Sequence, residues 1–190
     1  MTATEQRKVV TGEVRASYLN VFKPRISDFS GQEEYSLMIL IPKRDKATVN
    51  KINKAVAAAI EHKWKNKPPA KLRDPLRDGD DEFDLPDTVE VGTEPYADHY
   101  FMNVRSVNGP GVVDKDLQPI LDEAAFRSGD YCRVSLNAFA YDQKGNRGVS
   151  FGLNNVQVLR KGEPLGGAAR PENDFDVVEE ADDLDFLDVA

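Results

Sequence analysis

The feature that most constrains the fold is a pair of apolar alternations, at residues 131–142 and 147–159, on either side of a short polar segment. That segment, residues 143–146, reads Gln-Lys-Gly-Asn, and Gly-Asn is a dipeptide typical of the turn in a β-hairpin. The two alternations are therefore predicted to form a pair of antiparallel strands. Pairing them across the segment sets these residues opposite each other: Asp142 and Arg147, and Ala138 and Phe151.

The same register gives the hairpin two chemically different faces. One face is apolar on both strands and is predicted to be core: Cys132, Val134, Leu136, Ala138, Ala140, Val149, Phe151 and Leu153. The other face is mixed: Tyr131, Arg133, Ser135, Asn137, Phe139 and Tyr141, beside Gly148, Ser150, Gly152 and Asn154. Rings and cations next to small residues suit a platform on which flat groups stack and phosphates pair. The alternative is that Phe139 and Tyr141 pack beneath the proline-rich segment of residues 66–98.

Three further segments have β-strand patterns: residues 9–22, 34–41 and 100–107. In the first, Val10, Val14 and Ala16 are expected to share the apolar side, while Arg15 lies on the polar side. The second is apolar on both faces, which is typical of a central strand covered on both sides.

One amphipathic helix is predicted between the second and third of these strands. Asp45 can cap its first turn, and the helix is expected to run to about residue 65. Its apolar residues recur at spacings of three and four: Val49, Ile52, Val56, Ala59 and Ile60. The opposite face is basic, with Lys46, Lys51, Lys54, Lys63 and Lys65.

A long insertion is predicted at residues 66–98, which contain five of the eleven prolines. Its second part, residues 74–98, holds ten acidic residues and one basic residue. The acidic run from Asp78 to Glu82 could hold Ca²⁺ or Mg²⁺, but it lacks the glycine and the distal glutamate of a calcium-binding loop. We therefore expect no metal site there.

The last twenty residues carry nine carboxylates and neither lysine nor arginine. Such a block repels itself and has too little apolar surface to fold, so residues 168–190 are predicted to form a disordered acidic tail. Apolar residues lie between the charges, which suggests that the tail binds partner proteins. The expected partner-binding residues are Phe175, Asp182, Asp183, Leu184, Asp185, Phe186 and Leu187.

Without the tail the chain is nearly neutral, and residues 1–73 hold fifteen basic against seven acidic residues. The net charge of −8 therefore does not exclude a nucleic-acid partner.

Other features restrict the class of protein. The chain is predicted to fold as one domain over residues 9–167, preceded by a flexible N-terminus at residues 1–8. The N-terminus contains no apolar signal segment, and no membrane segment is expected. Cys132 is the only cysteine, which suits a reducing cytoplasm. His62 and His99 have no second ligand at zinc spacing, and there is no glycine loop to cradle a phosphate. We therefore expect neither an enzyme nor a cofactor.

Five segments resemble a family of bacteriophage single-stranded-DNA-binding proteins long described as a phage domain of unknown function. They are TGEVRASYLNVFKP from Thr11, YSLMILIPKRD from Tyr35, PLRDGD from Pro75, VDKDLQPI from Val113 and GLNNVQVLRKGEPLGG from Gly152. The order of elements also looks like a decorated OB-type barrel. The expected fold is mainly β with one or two helices: an OB-fold-like, five-stranded antiparallel barrel with a long insertion and a disordered acidic tail.

The resemblance implies a protein that coats single-stranded DNA during phage DNA replication, recombination or repair in the host cytoplasm. Phosphates would pair with cations and bases would stack on rings. The expected DNA-binding residues are Tyr131, Arg133, Phe139, Tyr141, Lys144, Arg147, Arg105, Arg15, Lys43, Arg44 and Lys46. The tail would regulate binding and recruit phage or host replication and recombination proteins, and a homodimer is compatible with the sequence.

Two other functions are compatible with the charge pattern. A phage protein-interaction scaffold would act through the acidic insertion and tail. A DNA mimic would occupy basic clefts of other proteins, but it should be acidic throughout, and the basic excess in residues 1–73 counts against it.

Overall fold

The computed structural model describes residues 2–28, 30–83, 94–143 and 145–165. The helices are α1 (Ala3–Arg7), α2 (Lys46–Trp64) and α3 (Gly79–Glu82). The strands are β1 (Lys8–Val10), β2 (Val14–Ile26), β3 (Glu33–Pro42), β4 (Arg77–Asp78), β5 (His99–Ser106), β6 (Gly111–Val113), β7 (Tyr131–Gln143) and β8 (Asn146–Arg160). None of these helices is both long and apolar enough to span a bilayer.

Five of the strands close into a barrel. Going around it, β2 pairs with β3, β3 with β5, β5 with β8, β8 with β7, and β7 with β2. Four of these pairs are antiparallel, and the pair β5–β8 is parallel. The predicted fold class, a mainly β chain built on a five-stranded OB-like barrel, is confirmed, with this one parallel pair as a refinement.

The hairpin of β7 and β8 forms in the predicted register. Asp142 pairs with Arg147 and Ala138 with Phe151, as the alternation requires. The ladder continues to the pair Gln143 and Asn146, so the turn begins one residue earlier than the expected Gly-Asn pair. Gly145 has a φ of 84°, which glycine adopts without strain.

The core lies inside the barrel and beneath α2. A register shift between Ser135 and Leu136 places one extra residue in β8, which keeps Val156 and Val158 on the core side. On α2, Ile52, Ala55 and Ala59 are buried, and the predicted basic face is left toward solvent. The Cys132 thiol is buried, as its place on the predicted core face requires, and burial raises its pKa to about 12.

The predicted strand 9–22 is wrong in one respect, because the chain breaks it after Val10. Thr11 donates its backbone N–H to the carbonyl of Val134 at 3.1 Å, and its hydroxyl oxygen accepts the Val134 N–H at 3.1 Å. This contact turns the chain between β1 and β2, so the alternation of buried and exposed residues in β1 is the opposite of the predicted one. Val9 is therefore buried, whereas Val10, expected on the core side with Val14, is 40% exposed.

The N-terminal segment contains a short helix. Within residues 1–8, which are predicted to be flexible, Ala3–Arg7 form α1. Thr2 and Glu5 make a capping box at its start: the Thr2 side chain accepts the Glu5 N–H, and the Glu5 carboxylate accepts the Thr2 N–H at 2.7 Å.

Part of the long insertion joins the sheet. At its start Arg73 forms a parallel bridge to Gly148 of β8, while Arg77 of β4 pairs with Phe101 of β5. The segment thus fills the gap where β5 and β8 diverge. A small apolar cluster outside the barrel, formed by Leu40, Phe83, Tyr96, Phe101 and neighbouring side chains, packs against the same strands.

The chain after β8 is attached to the barrel by the buried carboxylate of Asp130. It accepts the backbone N–H groups of Arg127 at 2.9 Å and Gly162 at 3.1 Å, and the Lys161 ammonium lies 3.0 Å away. Burial alone would raise the pKa of Asp130, but the two N–H donors and the Lys161 ammonium outweigh burial and hold the pKa below its ordinary value of 3.8.

Asp130→Asn should therefore lower the free energy of unfolding at pH 7 by about 1.5–3 kcal/mol, the range for hydrogen bonds to a charged group. Because the folded pKa is depressed, this contribution is present above the ordinary value of 3.8 and is lost as the pH falls through the folded pKa. Urea denaturation over a pH series should show the two proteins converging at low pH. Asp116→Asn, at an exposed loop position, is the control and should change little.

Candidate nucleic-acid interface

An open groove of about 600 Å³ crosses the outer surface of the barrel. Strands β3, β5, β7 and β8 contribute to it, together with the β2–β3 loop at one end and residues 73–77 of the insertion at the other. In OB-type barrels the face of the second and third barrel strands and the adjacent loops hold oligonucleotides. The second and third barrel strands here are β3 and β5, so the groove lies on that face.

The aromatic wall of the groove comes from the mixed face of β7. Phe139 stands opposite Ser150, and its side chain is 44% exposed. Tyr141 stands opposite Gly148 and is half-buried. A Cβ at Gly148 would lie 2.8 Å from the Tyr141 hydroxyl, and also 2.8 Å from the Cβ and from the carbonyl oxygen of Arg73. Because glycine has no side chain, the Tyr141 ring and the insertion can both lie close to β8 at this position. Phe139 is thus open to a ligand, whereas Tyr141 partly packs against the insertion.

The cations of the groove come from β5 and from the insertion. Arg105, on the outer face of β5, lies 3.7 Å from the Glu34 carboxylate and is about half-exposed. Arg77 stacks its guanidinium 4.6 Å from the centre of the Phe101 ring and also pairs with Glu82. Arg73 is exposed, and its backbone is fixed by the hydrogen bonds to β8.

Arg73 and Arg77 were not among the predicted DNA-binding residues. Sequence composition marks their surroundings as an acidic, proline-rich loop, and no local pattern indicates that this loop returns to the barrel. The only signal was the motif PLRDGD, which contains Arg77 and belongs to the family resemblance.

Three other predicted residues meet in a separate depression of about 360 Å³: Arg15, Arg44 and Tyr131. The Tyr131 ring lies 3.5 Å from the Arg160 guanidinium, which also pairs with Glu13 at 2.6 Å. The Glu13 hydrogen bond raises the pKa of Arg160, and Arg160 lowers the pKa of Glu13. Arg15 donates to the carbonyls of Gly129 and Glu163 at 3.1 and 2.7 Å. Arg15 and Arg160 are thus bonded to other parts of the chain, whereas Arg44 is exposed at the edge of the depression.

Four other predicted residues line neither depression: Arg133, Arg147, Lys43 and Lys46. Arg133 donates its Nε to the carbonyl of Thr11 at 3.1 Å, and Arg147 pairs with Asp142 near the hairpin turn at 2.9 Å. Lys43 lies 2.6 Å from Asp78 and 2.7 Å from Asp80, contacts that raise its pKa. Lys46 is exposed in the first turn of α2. Lys144 lies outside the described residues, as do all the tail residues named above: Phe175, Asp182, Asp183, Leu184, Asp185, Phe186 and Leu187.

The groove therefore combines an exposed ring, a half-buried ring and three arginines on one surface. Such a surface can stack planar groups and pair with phosphates. The predicted site residues that the structure brings together there are Arg105, Phe139 and Tyr141.

Comparison with known proteins connects this geometry to a family. A family model described as the ssDNA-binding protein of Enterobacter phage Enc34 matches residues 7–187. The chain is 26% identical over 182 residues to a "Putative protein p50" of Acyrthosiphon pisum secondary endosymbiont phage 1, which covers 95% of this chain and 98% of the relative.

Two solved structures share the fold. The single-stranded DNA-binding protein from bacteriophage Enc34, in complex with ssDNA, superimposes with a TM-score of 0.72 at 18% identity, covering 84% of this chain and 90% of the other. The gp2.5 single-stranded DNA-binding protein encoded by bacteriophage T7 gives a TM-score of 0.57 at 17% identity, covering 92% and 96%.

The glycines of β8 provide a matched test of the groove wall. Gly148→Ala should lower the free energy of unfolding by about 1–3 kcal/mol, the usual cost of overpacking, because the new methyl group meets the backbone of Arg73. Gly152→Ala on the same strand is the control, since its nearest atoms would be 3.8 Å away or more, and it should change stability by less than about 0.5 kcal/mol. Thermal and urea denaturation measure both variants. Equal effects would mean that the bridge between Arg73 and β8 does not contribute.

Proposed function

Because the chain belongs to the family of the Enterobacter phage Enc34 ssDNA-binding protein, we propose that it binds single-stranded DNA in the barrel groove without catalysing a reaction. The observation that carries the proposal is the position of Phe139 and three arginines on the OB-barrel face formed by β3 and β5 and their neighbours. The family and the groove chemistry support the same ligand from independent directions.

In the proposed complex the bases stack and the phosphates pair. The exposed Phe139 ring offers a planar surface, and every base has a π-face, so sequence preference should be small. Arg105, Arg73 and Arg77 line the same groove and can approach the sugar-phosphate backbone. The contact between Arg105 and Glu34 is long, at 3.7 Å, and the Arg105 side chain is about half-exposed, so its guanidinium can also pair with a phosphate.

We further propose that binding is stoichiometric: the protein coats and protects exposed strands during phage DNA replication and recombination in the host cytoplasm. The acidic tail, residues 171–190, would compete with phosphates for the basic groove and would dock on partner proteins through its apolar residues.

The groove proposal predicts tighter binding to single strands than to duplex, with affinity falling steeply as salt rises. Phe139→Ala should weaken binding by about 1–3 kcal/mol, the usual cost of one lost base stack. The fold should be nearly unaffected because the ring is 44% exposed. Fluorescence anisotropy with oligo-dT, mixed-sequence and duplex oligonucleotides over a salt series measures affinity, and urea denaturation measures stability.

Two matched variants separate stacking from general surface effects. Phe139→Trp keeps a planar ring and should retain affinity. Leu121→Ala removes an exposed apolar side chain that does not line the groove and should leave binding unchanged. Equal affinity for duplex and single strand, or full affinity in Phe139→Ala, would contradict stacking in this groove.

Deleting residues 171–190 should raise affinity for single strands at low salt, because it changes the formal charge from −8 to +1. The gain should shrink at high salt, since the Debye length falls from about 10 Å at 0.1 M to about 3 Å at 1 M.

The deletion should also abolish binding to replication proteins in a pull-down. A full-length variant with Phe186→Ala and Leu187→Ala keeps the charge, so it should lose partners but keep the salt response. A truncated chain that binds DNA no better at any salt would disprove competition by the tail.

A further inference from the structure

Strand β2 carries an exposed tyrosine in an unfavourable backbone conformation. Tyr18 has a φ of 44°, in the left-handed region that bulky residues rarely adopt, and it is 68% exposed. The position coincides with a bulge: Ser17 pairs with Met38 and Asn20 with Ser36, so β2 has one more residue than β3 over this stretch.

The bulge changes which side chain faces the core. Ala16 and Val21 are buried, and Leu19 packs against the core cluster between them. The extra residue lets Tyr18 face solvent while Leu19 takes the inward position. Glycine would adopt the same φ without strain, and an exposed ring contributes little to packing. The fold therefore requires the bulge but does not require a tyrosine in it.

Polar contacts and strand pairs connect the Tyr18 bulge to the groove. Asn20 donates its side-chain amide to the Ser36 hydroxyl at 3.3 Å and to the carbonyl of Tyr18 at 3.4 Å. Ser36 in turn is the direct cross-strand partner of Arg105, which lines the groove. Neighbouring strands lie about 4.8 Å apart, so β2 is about 10 Å from β5 across β3. Asn20 and Ser36 therefore lie between Tyr18 and Arg105, and Met38, two residues along β3 from Ser36, lies beside them.

We propose that Tyr18 is a second base-stacking position, reached by the single strand after it leaves the groove and crosses β3. The inference rests on the proposed function, since it extends the path of the same ligand. The bulge presents the ring to solvent, the Asn20–Ser36 hydrogen bond joins β2 to β3 on the way, and Arg105 lies at the junction with the groove. The bound strand is consequently longer than the groove alone would hold.

The test compares Tyr18→Gly with wild type on two lengths of oligo-dT, about 6 and about 16 nucleotides, within the range of site sizes of OB folds. Tyr18→Gly should weaken binding of the long oligonucleotide roughly 5- to 150-fold, the equivalent of one lost base stack, and leave the short one unchanged. Tyr18→Phe keeps the ring and should bind as wild type. Because glycine relieves the positive φ, stability in urea should be unchanged or higher, and Tyr18→Asn, which also tolerates this conformation, repeats the test.

The outcomes distinguish this inference from the proposed function. If Tyr18→Gly and Tyr18→Asn bind both lengths as wild type while Phe139→Ala weakens both, the groove is correct and the Tyr18 path is wrong. If the Tyr18 variants lose affinity equally for both lengths, the ring acts within the groove and the longer path is also wrong. If wild type binds neither oligonucleotide, the proposed function fails and the inference fails with it.

Discussion

The ladder between β7 and β8 is the interaction on which the rest of the molecule depends. It closes the barrel, places Cys132 and Leu136 in the core and presents Phe139 and Tyr141 on the outer surface. Because side chains alternate along a strand, a shift of one residue in this pairing would exchange the two faces. The rings would enter the core and the apolar side chains would meet solvent. A single register therefore determines both the stability of the barrel and the chemistry of its groove.

Those parts of the fold that depend on local pattern could be predicted from the sequence. The hairpin register follows from its alternation and a glycine turn, and helix α2 follows from its cap at Asp45 and its apolar spacing. The break between β1 and β2 could not be predicted, because Thr11 turns the chain by bonding to Val134, which is 123 positions away. The bulge at Tyr18 is equally invisible, since tyrosine is an unfavourable residue for the conformation that it adopts.

The candidate site was only partly predictable for a similar reason. Tyr131 and Tyr141 share the outer face of β7, but ten residues at about 3.3 Å each separate them by about 33 Å. One strand face therefore reaches two different places, and only the fold shows that Tyr131 lies between arginines while Tyr141 borders the groove. Arg73 and Arg77 enter the groove through pairing with distant strands, which composition does not reveal.

Some cations of this chain pair with carboxylates of the protein and others line the groove, and a count of lysines and arginines in the sequence does not distinguish the two groups. Lys43 was predicted to contact DNA, yet its ammonium lies between the carboxylates of Asp78 and Asp80. Those contacts fasten β4 and α3 to the end of β3, and β4 in turn pairs with β5 beside the groove. The same segment carries Arg73 and Arg77 into the groove wall. Asp78 and Asp80 therefore support the groove wall, because through Lys43 they hold the segment that carries Arg73 and Arg77.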